Sequence, residues 1–381
     1  MASSPDRRIL ERMYRAALAG ADPEKAVLRA LQEPRIRRAL AGARRVGVFA
    51  AGKAAAGMAR AALARLGPAP LFAVLPRGHR AGELPRRGVV FASHPEPDAS
   101  STAAARRALE FFASFGEGDV LLCLISGGAS SLLALPRPGL TLAAKRKAVR
   151  ALVASGASIL AVNRLRASLS SVKGGRLGRA TRARLITLAL SDVPGDRAAA
   201  IGSGPTVRGA RGDLVSIVAS NRAGLGAAER EARRLGLAVA REKPRLAGES
   251  AAAGRRLARR ADALSPGTIL IGGGETVVTR GTQRGRGGRC LEMAAAAAQE
   301  LSGSSRIAML AAGSDGRDGS AGAAGAFADG RTANRARRAG LDVEDILERH
   351  DTRRLFARLG DLFVTGPTGG NVGDWVFLLR R

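Results

Sequence analysis

Cysteine is almost missing from this chain. Cys123 and Cys290 are its only two and stand in unlike surroundings, so neither a disulfide framework nor a thiolate zinc site is indicated, and a reducing compartment is expected. Aromatic residues make up 3%, which leaves few platforms on which nucleic-acid bases could stack. No apolar run reaches the length of a membrane span, and the opening stretch MASSPDRRILERMYRAALAG is amphipathic without an apolar signal core. A cytoplasmic protein with no membrane partner is expected. Acidic residues are also scarce, 32 Asp+Glu against 62 Lys+Arg for a net charge of +30. Such an excess suggests a polyanion as partner. It is nevertheless dispersed as arginine among Ala, Gly and Leu, with no dense basic tail; Arg- and Ala-rich codon usage accounts for most of it, and specific nucleic-acid binding is not expected. Any anion binding should weaken with salt. Lysine, by contrast, is rare: six in the whole chain.

With 381 residues the chain is too long for most single cores, and two domains are expected. Strand-like runs at Arg45 to Ala50, Leu71 to Leu75, Val89 to Ala92, Val120 to Ile125, Leu185 to Leu190 and Val215 to Ala219 alternate with helix-like stretches. That alternation predicts a parallel sheet covered on both faces. A second βα series has strands at Thr268 to Ile271, Ile307 to Ala312 and Leu362 to Thr365. The Arg/Glu/Pro-rich run from Ala240 to Ala247 is the best boundary, giving domains 1–245 and 246–381. No internal repeat is evident.

The strand exits are glycine-rich and acidic. They read Ala51-Gly52-Lys53, Ser93-His94-Pro95-Glu96-Pro97-Asp98, Ser126-Gly127-Gly128, Ser191-Asp192-Val193-Pro194-Gly195-Asp196, Gly272-Gly273-Gly274-Glu275-Thr276, Ser314-Asp315 and Gly366-Pro367-Thr368-Gly369-Gly370-Asn371. Ligands of open α/β sheets bind beyond the carboxyl ends of strands, so these loops should gather along one edge of each domain and face each other across a cleft. Asp315 and Asp318, in GSDGRDG, suit Mg²⁺ or a sugar-like hydroxyl; the competing reading is an Asp/Gly turn that satisfies its own backbone. Ser126-Gly127-Gly128 ahead of a helix offers N–H groups to a phosphate or carboxylate. The Gly47-x-x-x-x-Gly52-Lys53-Ala54 spacing imitates a P-loop, but Gly47 lies inside the strand and Ala54 replaces the Ser/Thr. Lys53 and Lys173 both fall in glycine motifs, where a compact point charge fits and a guanidinium would not. Asn163, Arg166, Ser170 and Lys173 form one polar stripe at helical spacing, and Arg289 and Glu292 lie one turn apart.

Taken together, these motifs resemble the glycerate 2-kinases of the glycerate kinase / MOFRL type, including proteins often labelled hydroxypyruvate reductase. The resemblance runs nearly end to end, on Gly52-Lys53, His94-Pro95-x-Pro97-Asp98, Leu124-Ile125-Ser126-Gly127-Gly128, Lys173-Gly174-Gly175-Arg176-Leu177, Ser191-Asp192-Val193-x-Gly195-Asp196 and Ser203-Gly204-Pro205-Thr206. It continues through Gly273-Gly274-Glu275-Thr276, Gly287-Gly288-Arg289, Asp315-Gly316-x-Asp318-Gly319 and Thr365-Gly366-Pro367-Thr368-x-x-Asn371. It implies an α/β protein of two domains, a larger Rossmann-like parallel α/β/α sheet domain and a smaller MOFRL-like α/β domain, with an interdomain cleft. The implied reaction transfers the γ-phosphoryl of ATP to the 2-hydroxyl of (R)-glycerate with Mg²⁺, and a homodimer is compatible with it.

On that resemblance Lys53, Lys173, Asp192 and Arg289 are expected to be catalytic, and Arg166, Asn163, His94 and Ser126 to Gly128 to bind the acceptor. Gly273, Gly274, Glu275, Thr276, Asp315, Asp318, Thr368 and Asn371 are expected at the nucleotide, with Asp192 and Asp315 as metal ligands. The chain departs from the family pattern at Ala161, at Ala167-Ser168 and at Cys290, where an acid, a Lys-His pair and an Asn are usual, and it is shorter between Thr206 and Val215. Another hydroxy-acid acceptor, a degenerate enzyme that binds polyanions, and an NAD(P)H-dependent hydroxypyruvate reductase are the alternatives. The last should show G-x-G-x-x-G after the first strand, whereas here the exit reads Gly52-Lys53-Ala54-Ala55-Ala56-Gly57, with a charge in the turn and no second glycine.

Overall fold

The computed structural model describes residues 4–155, 159–193, 195–304 and 306–381. The chain divides into two compact units, Asp22–Ser220 and Asn221–Arg381, the latter joined by the N-terminal stretch to Ala21.

The first unit holds six strands, β1 (Val46–Ala51), β2 (Leu71–Pro76), β3 (Val89–Ala92), β4 (Val120–Ile125), β5 (Arg184–Ser191) and β6 (Leu214–Ser220). Their order is β3-β2-β1-β4-β5-β6, and every pairing is parallel. This is the doubly wound Rossmann order, in which the chain reverses direction of winding between β1 and β4. β4, VLLCLI, is buried at every residue, as a central strand covered on both faces must be. Phe49 meets Phe112 edge-on at 5.0 Å in the core beneath.

The second unit holds β7 (Ala238–Arg241), β8 (Thr268–Gly274), β9 (Ile307–Gly313), β10 (Gly325–Asp329), β11 (Leu362–Phe363) and β12 (Asp374–Arg380) in the order β11-β10-β9-β12-β8-β7. Only β7 pairs with β8 in parallel; the other pairings are antiparallel. The expected βα series is therefore a mixed sheet. The Ala/Gly run after Asp318 does not enter a helix but turns back as β10, where a Cβ on Gly325 would stand 1.8 Å from the Ala311 carbonyl. A run of such small residues lets two backbones approach that closely.

The division also differs from the expected boundary at 245/246. β6 ends at Ser220 and the next helix starts at Asn221, so the change of unit falls on a strand–helix junction with no linker composition to mark it. The helices Pro5–Gly20 and Asn221–Arg234 pack closely: a Cβ on Gly20 would lie 2.4 Å from that of Ala227. Tyr14 and Trp375, the only Tyr and Trp in the chain, meet edge-on at 5.8 Å inside this unit.

Candidate active site

In the first unit the switch point places the exits of β1 and β4 side by side. Gly52 takes φ +127°, and a Cβ there would lie 2.2 Å from Ser126 Oγ, so only glycine fits. Ser126 Oγ accepts from the Ala54 N–H at 3.1 Å, and the Lys53 N–H donates to the Gly127 carbonyl at 2.9 Å. Ser126 thus ties the two loops together through its hydroxyl. Gly127 leaves room for Asp192, whose Oδ2 would be 2.0 Å from a Cβ at that position. Gly128, at φ +88°, leaves room for the His94 ring and the Lys53 stem, 3.1 Å and 3.3 Å from its missing Cβ. Burial, then Lys53 and His79, lower the His94 pKa to about 4. The imidazole is therefore neutral at physiological pH.

Beside this turn lies a cavity of about 500 Å³ lined by His94, Ser130, Lys145, Arg166 and Lys173 among others. Lys173 is 3% exposed, and its Nζ lies 2.6 Å from both the carbonyl and the hydroxyl of Ser130. Burial, reinforced by Lys145 and Arg166, pushes its pKa well down. Arg166 contacts Asn163 at 3.4 Å, so the expected polar stripe reaches the cavity through Arg166 and Lys173. The Lys173-Gly174-Gly175 and Ser203-Gly204-Pro205-Thr206 motifs are laced to each other: Gly174, Gly175 and Gly178 N–H groups donate to Ser203, Gly204 and Pro205 carbonyls at 2.9, 2.7 and 3.1 Å. The second motif shapes the first. Of the departing positions, Ala167 accepts through its carbonyl from Arg176 at 2.7 Å and Cys290 is fully buried.

The second unit gathers its own cluster at one sheet edge. β8 and β9 both run antiparallel to β12, so Asp374, the first residue of β12, pairs with Gly274 on one side and Gly313 on the other. Glu275 follows Gly274 directly, and Asp315 stands two residues after Gly313. A Cβ on Gly313 would stand 3.4 Å from Asp315 Oδ1 and 3.5 Å from Asp374 Oδ1, so the two carboxylates converge. Arg289 bridges the group: it donates to Glu275 and to Asp374, the latter at 3.1 Å through Nη2 with Nε 2.9 Å from Oδ2. Asp374 was not singled out by the sequence, because no motif marks it; its place in the sheet does. Burial raises its pKa to about 7 despite Arg289.

Several residues expected at the nucleotide also build the cluster. Asp318, 3% exposed, spends both oxygens on the N-terminus of the helix Arg289–Glu300, accepting from Cys290 and Leu291 N–H at 3.1 and 2.8 Å. Gly273 and Gly274 make room for the Asn221 side chain and the Leu246 carbonyl, 2.1 and 2.2 Å from their missing Cβ atoms, and Thr276 Oγ1 pairs with Ser250 Oγ at 2.7 Å. Thr368 donates to the Ser314 carbonyl, and Asn371 accepts from the Gly373 N–H at 3.1 Å. Asn221 and Tyr14, not picked out by the sequence, brace the same edge: Asn221 donates to Val372 and Asp374 carbonyls at 3.0 Å, and Tyr14 to the Gly313 carbonyl at 2.8 Å. Arg289 and Glu292 do not pair with each other. Glu292 faces His350 at 3.2 Å, its pKa raised by burial against the pull of that imidazole.

Among the described residues no group of three or more His, Cys, Asp or Glu is placed to hold a metal ion. Mg²⁺ needs less than that, binding through one or two carboxylates completed by water and phosphate oxygens. The converging Asp315 and Asp374 carboxylates supply hard oxygen donors of that kind, so the residues fit the ion.

The buried groups of the two units give opposite pH responses. An acid whose folded pKa is raised stabilises the fold below its ordinary value and loses that contribution as pH rises through the folded value. Asp318, raised to about 6, and Asp374, raised to about 7, both by burial, lose it across weakly acidic to neutral pH. A histidine lowered to about 4 acts in the other sense, destabilising as pH falls below about 6.5, where the unfolded ring is charged. Lowering the pH from about 7.5 to about 5.5 should therefore slow amide exchange, corrected for intrinsic rate, in β8, β9 and β12 and speed it in β1 and β4. Uniform change across both sheets would contradict these assignments.

Among the described residues no helix is long and apolar enough to cross a membrane. Residues 9–235 match the family model described as a domain of unknown function, DUF4147, and residues 268–374 match the MOFRL family. A glycerate 2-kinase of Pyrococcus horikoshii is 34% identical over 98% of this chain and 97% of its own length. A protein of Agrobacterium vitis that carries the name hydroxypyruvate reductase is 37% identical over 97% of this chain and 93% of its own. The crystal structure of a glycerate kinase from Thermotoga maritima superposes with a TM-score of 0.89 at 31% identity, covering all of both chains.

Proposed function

The chain belongs to the glycerate 2-kinase family, and from that premise we propose that it transfers the γ-phosphoryl group of ATP to the 2-hydroxyl of (R)-glycerate, releasing ADP and 2-phosphoglycerate. The observation that carries this reading is the cation-lined cavity beside the β1/β4 switch point, where Arg166 and Lys173 line a space at the carboxyl edge of a Rossmann-type sheet and the Lys53 stem lies against Gly128 in the adjoining turn. Phosphoryl transfer depends on positioning and on charge stabilisation more than on covalent catalysis.

In this reading the cavity cations take the acceptor's carboxylate, and Lys53, fixed between the Gly127 carbonyl and Gly128, faces the charge that builds on the moving phosphoryl group. Asp192, pressed against Gly127, accepts the proton of the attacking 2-hydroxyl as its oxygen bonds to phosphorus and the bond to the ADP oxygen breaks. Asp315 and Glu275, with Arg289, serve the nucleotide. Mg²⁺, held by Asp315 with Asp374, would neutralise phosphate charge.

The reductase alternative has little support in the first turn. Gly52 is required there by its contact with Ser126, not by the approach of a pyrophosphate. An assay for ADP release with D-glycerate, run beside one for NAD(P)H consumption with hydroxypyruvate, decides between them. ADP release that requires the hydroxy acid is expected; cofactor oxidation without ADP release would overturn the proposal.

A further inference from the structure

Lys145 lies outside every motif of the chain, yet it lines the same cavity as Arg166 and Lys173. It sits in the first turn of the helix Leu142–Ala154, which opens with Thr141 Oγ1 accepting from the Ala144 N–H at 3.1 Å. The residue is 4% exposed, and its Nζ is buried with no hydrogen-bond partner. A buried ammonium without an acceptor is costly, and such sites are normally filled by a partner. The lining offers none. Its one carboxylate, Glu96, is held at the rim by Arg146 and Arg150. Every other charged group facing Lys145, namely Arg166, Lys173, Arg146 and Arg150, is positive or an amine, and His94 is neutral. Two of the chain's six lysines, Lys145 and Lys173, thus border one space.

We infer that Lys145 is a binding residue for the acceptor's carboxylate, supplying the third cation of an anion subsite with Arg166 and Lys173. This rests on the kinase reading for the identity of the acid, but not for the existence of the subsite. Burial, reinforced by Arg166, lowers the Lys145 pKa to about 8. A bound carboxylate favours the ammonium form, so binding takes up a proton and weakens as pH rises above that value.

Calorimetric titration of the full chain with D-glycerate, with its uncharged amide and with inorganic phosphate tests this in the wild type, Lys145→Met and Lys145→Arg between about pH 6.5 and pH 9.5. Lys145→Met should weaken D-glycerate about tenfold or more and leave the amide unchanged. Lys145→Arg should restore binding and flatten its pH dependence near pH 8, since a guanidinium stays charged there. The KM for the hydroxy acid should rise with the Met variant while the KM for ATP holds. Equal loss of glycerate and amide would mean a merely structural lysine, and Lys145-dependent binding of phosphate without glycerate would overturn the carboxylate assignment. Lys145-dependent glycerate binding by a wild type that releases no ADP would uphold the subsite and refute the kinase reading.

Discussion

Lys53→Ala should lower kcat for ADP release by about a thousandfold or more while leaving the thermal midpoint and circular dichroism unchanged. Removing one preorganised charge from a phosphoryl-transfer site costs that much in comparable systems, because the charge acts only where the transition state develops it. The lysine is held by backbone on both sides, its own N–H on the Gly127 carbonyl at 2.9 Å and its stem beside the missing Cβ of Gly128. Being half-buried at the turn, it contributes little packing. Lys53→Arg should fail to rescue turnover, because a broad planar guanidinium does not reproduce a compact ammonium at a turn crowded by backbone. A saturable, fully active Lys53→Ala enzyme would remove this residue from the mechanism.

Arg289→Ala should produce the second largest effect, a loss of roughly a hundredfold or more in kcat/KM together with a measurable drop in stability. Arg289 is the only cation in hydrogen-bonding contact with both Glu275 and Asp374 among the described residues. Asp374 already has its pKa raised to about 7 with that partner in place. Without it the buried acid should take up a proton at neutral pH, which softens the stability cost but removes a negative charge from beside Asp315. Arg289→Lys keeps the charge without the fork that spans two carboxylates, so it should recover stability better than activity. The variant's stability should therefore decline more steeply than the wild type's as pH rises past about 7, measured by thermal midpoint.

The first sheet was legible because its six strands are short apolar runs separated by helix-length stretches, and each observed strand overlaps its expected run. The glycine-rich exits were legible for the same reason, and the expected family is the one the chain belongs to. What the sequence hid was register and pairing. Asp374 acquires its role from lying opposite both Gly274 and Gly313, a relation among three distant strands. β12 carries no alternation or turn motif of its own, β7 is four residues of which none is fully buried, and β10 is the short run Gly-Ala-Phe-Ala-Asp. Asp318 shows the converse: its motif was visible, but only the helix beginning at Arg289 reveals that its carboxylate is a cap. Lys145 belongs to no pattern, and its isolation from any acceptor is visible only in three dimensions.

On the proposed mechanism, cations on the exits of a Rossmann-type sheet serve phosphoryl transfer to the 2-hydroxyl of glycerate. Phosphorus NMR of the purified chain with ATP, Mg²⁺ and D-glycerate tests it most directly, since the position of the new ester is read from its coupling to the carbon-bound proton. 2-Phosphoglycerate should appear in step with ADP, and neither should form with the Lys53→Ala protein. A 3-phospho ester, or an ATP spectrum left unchanged by D-glycerate, would contradict it.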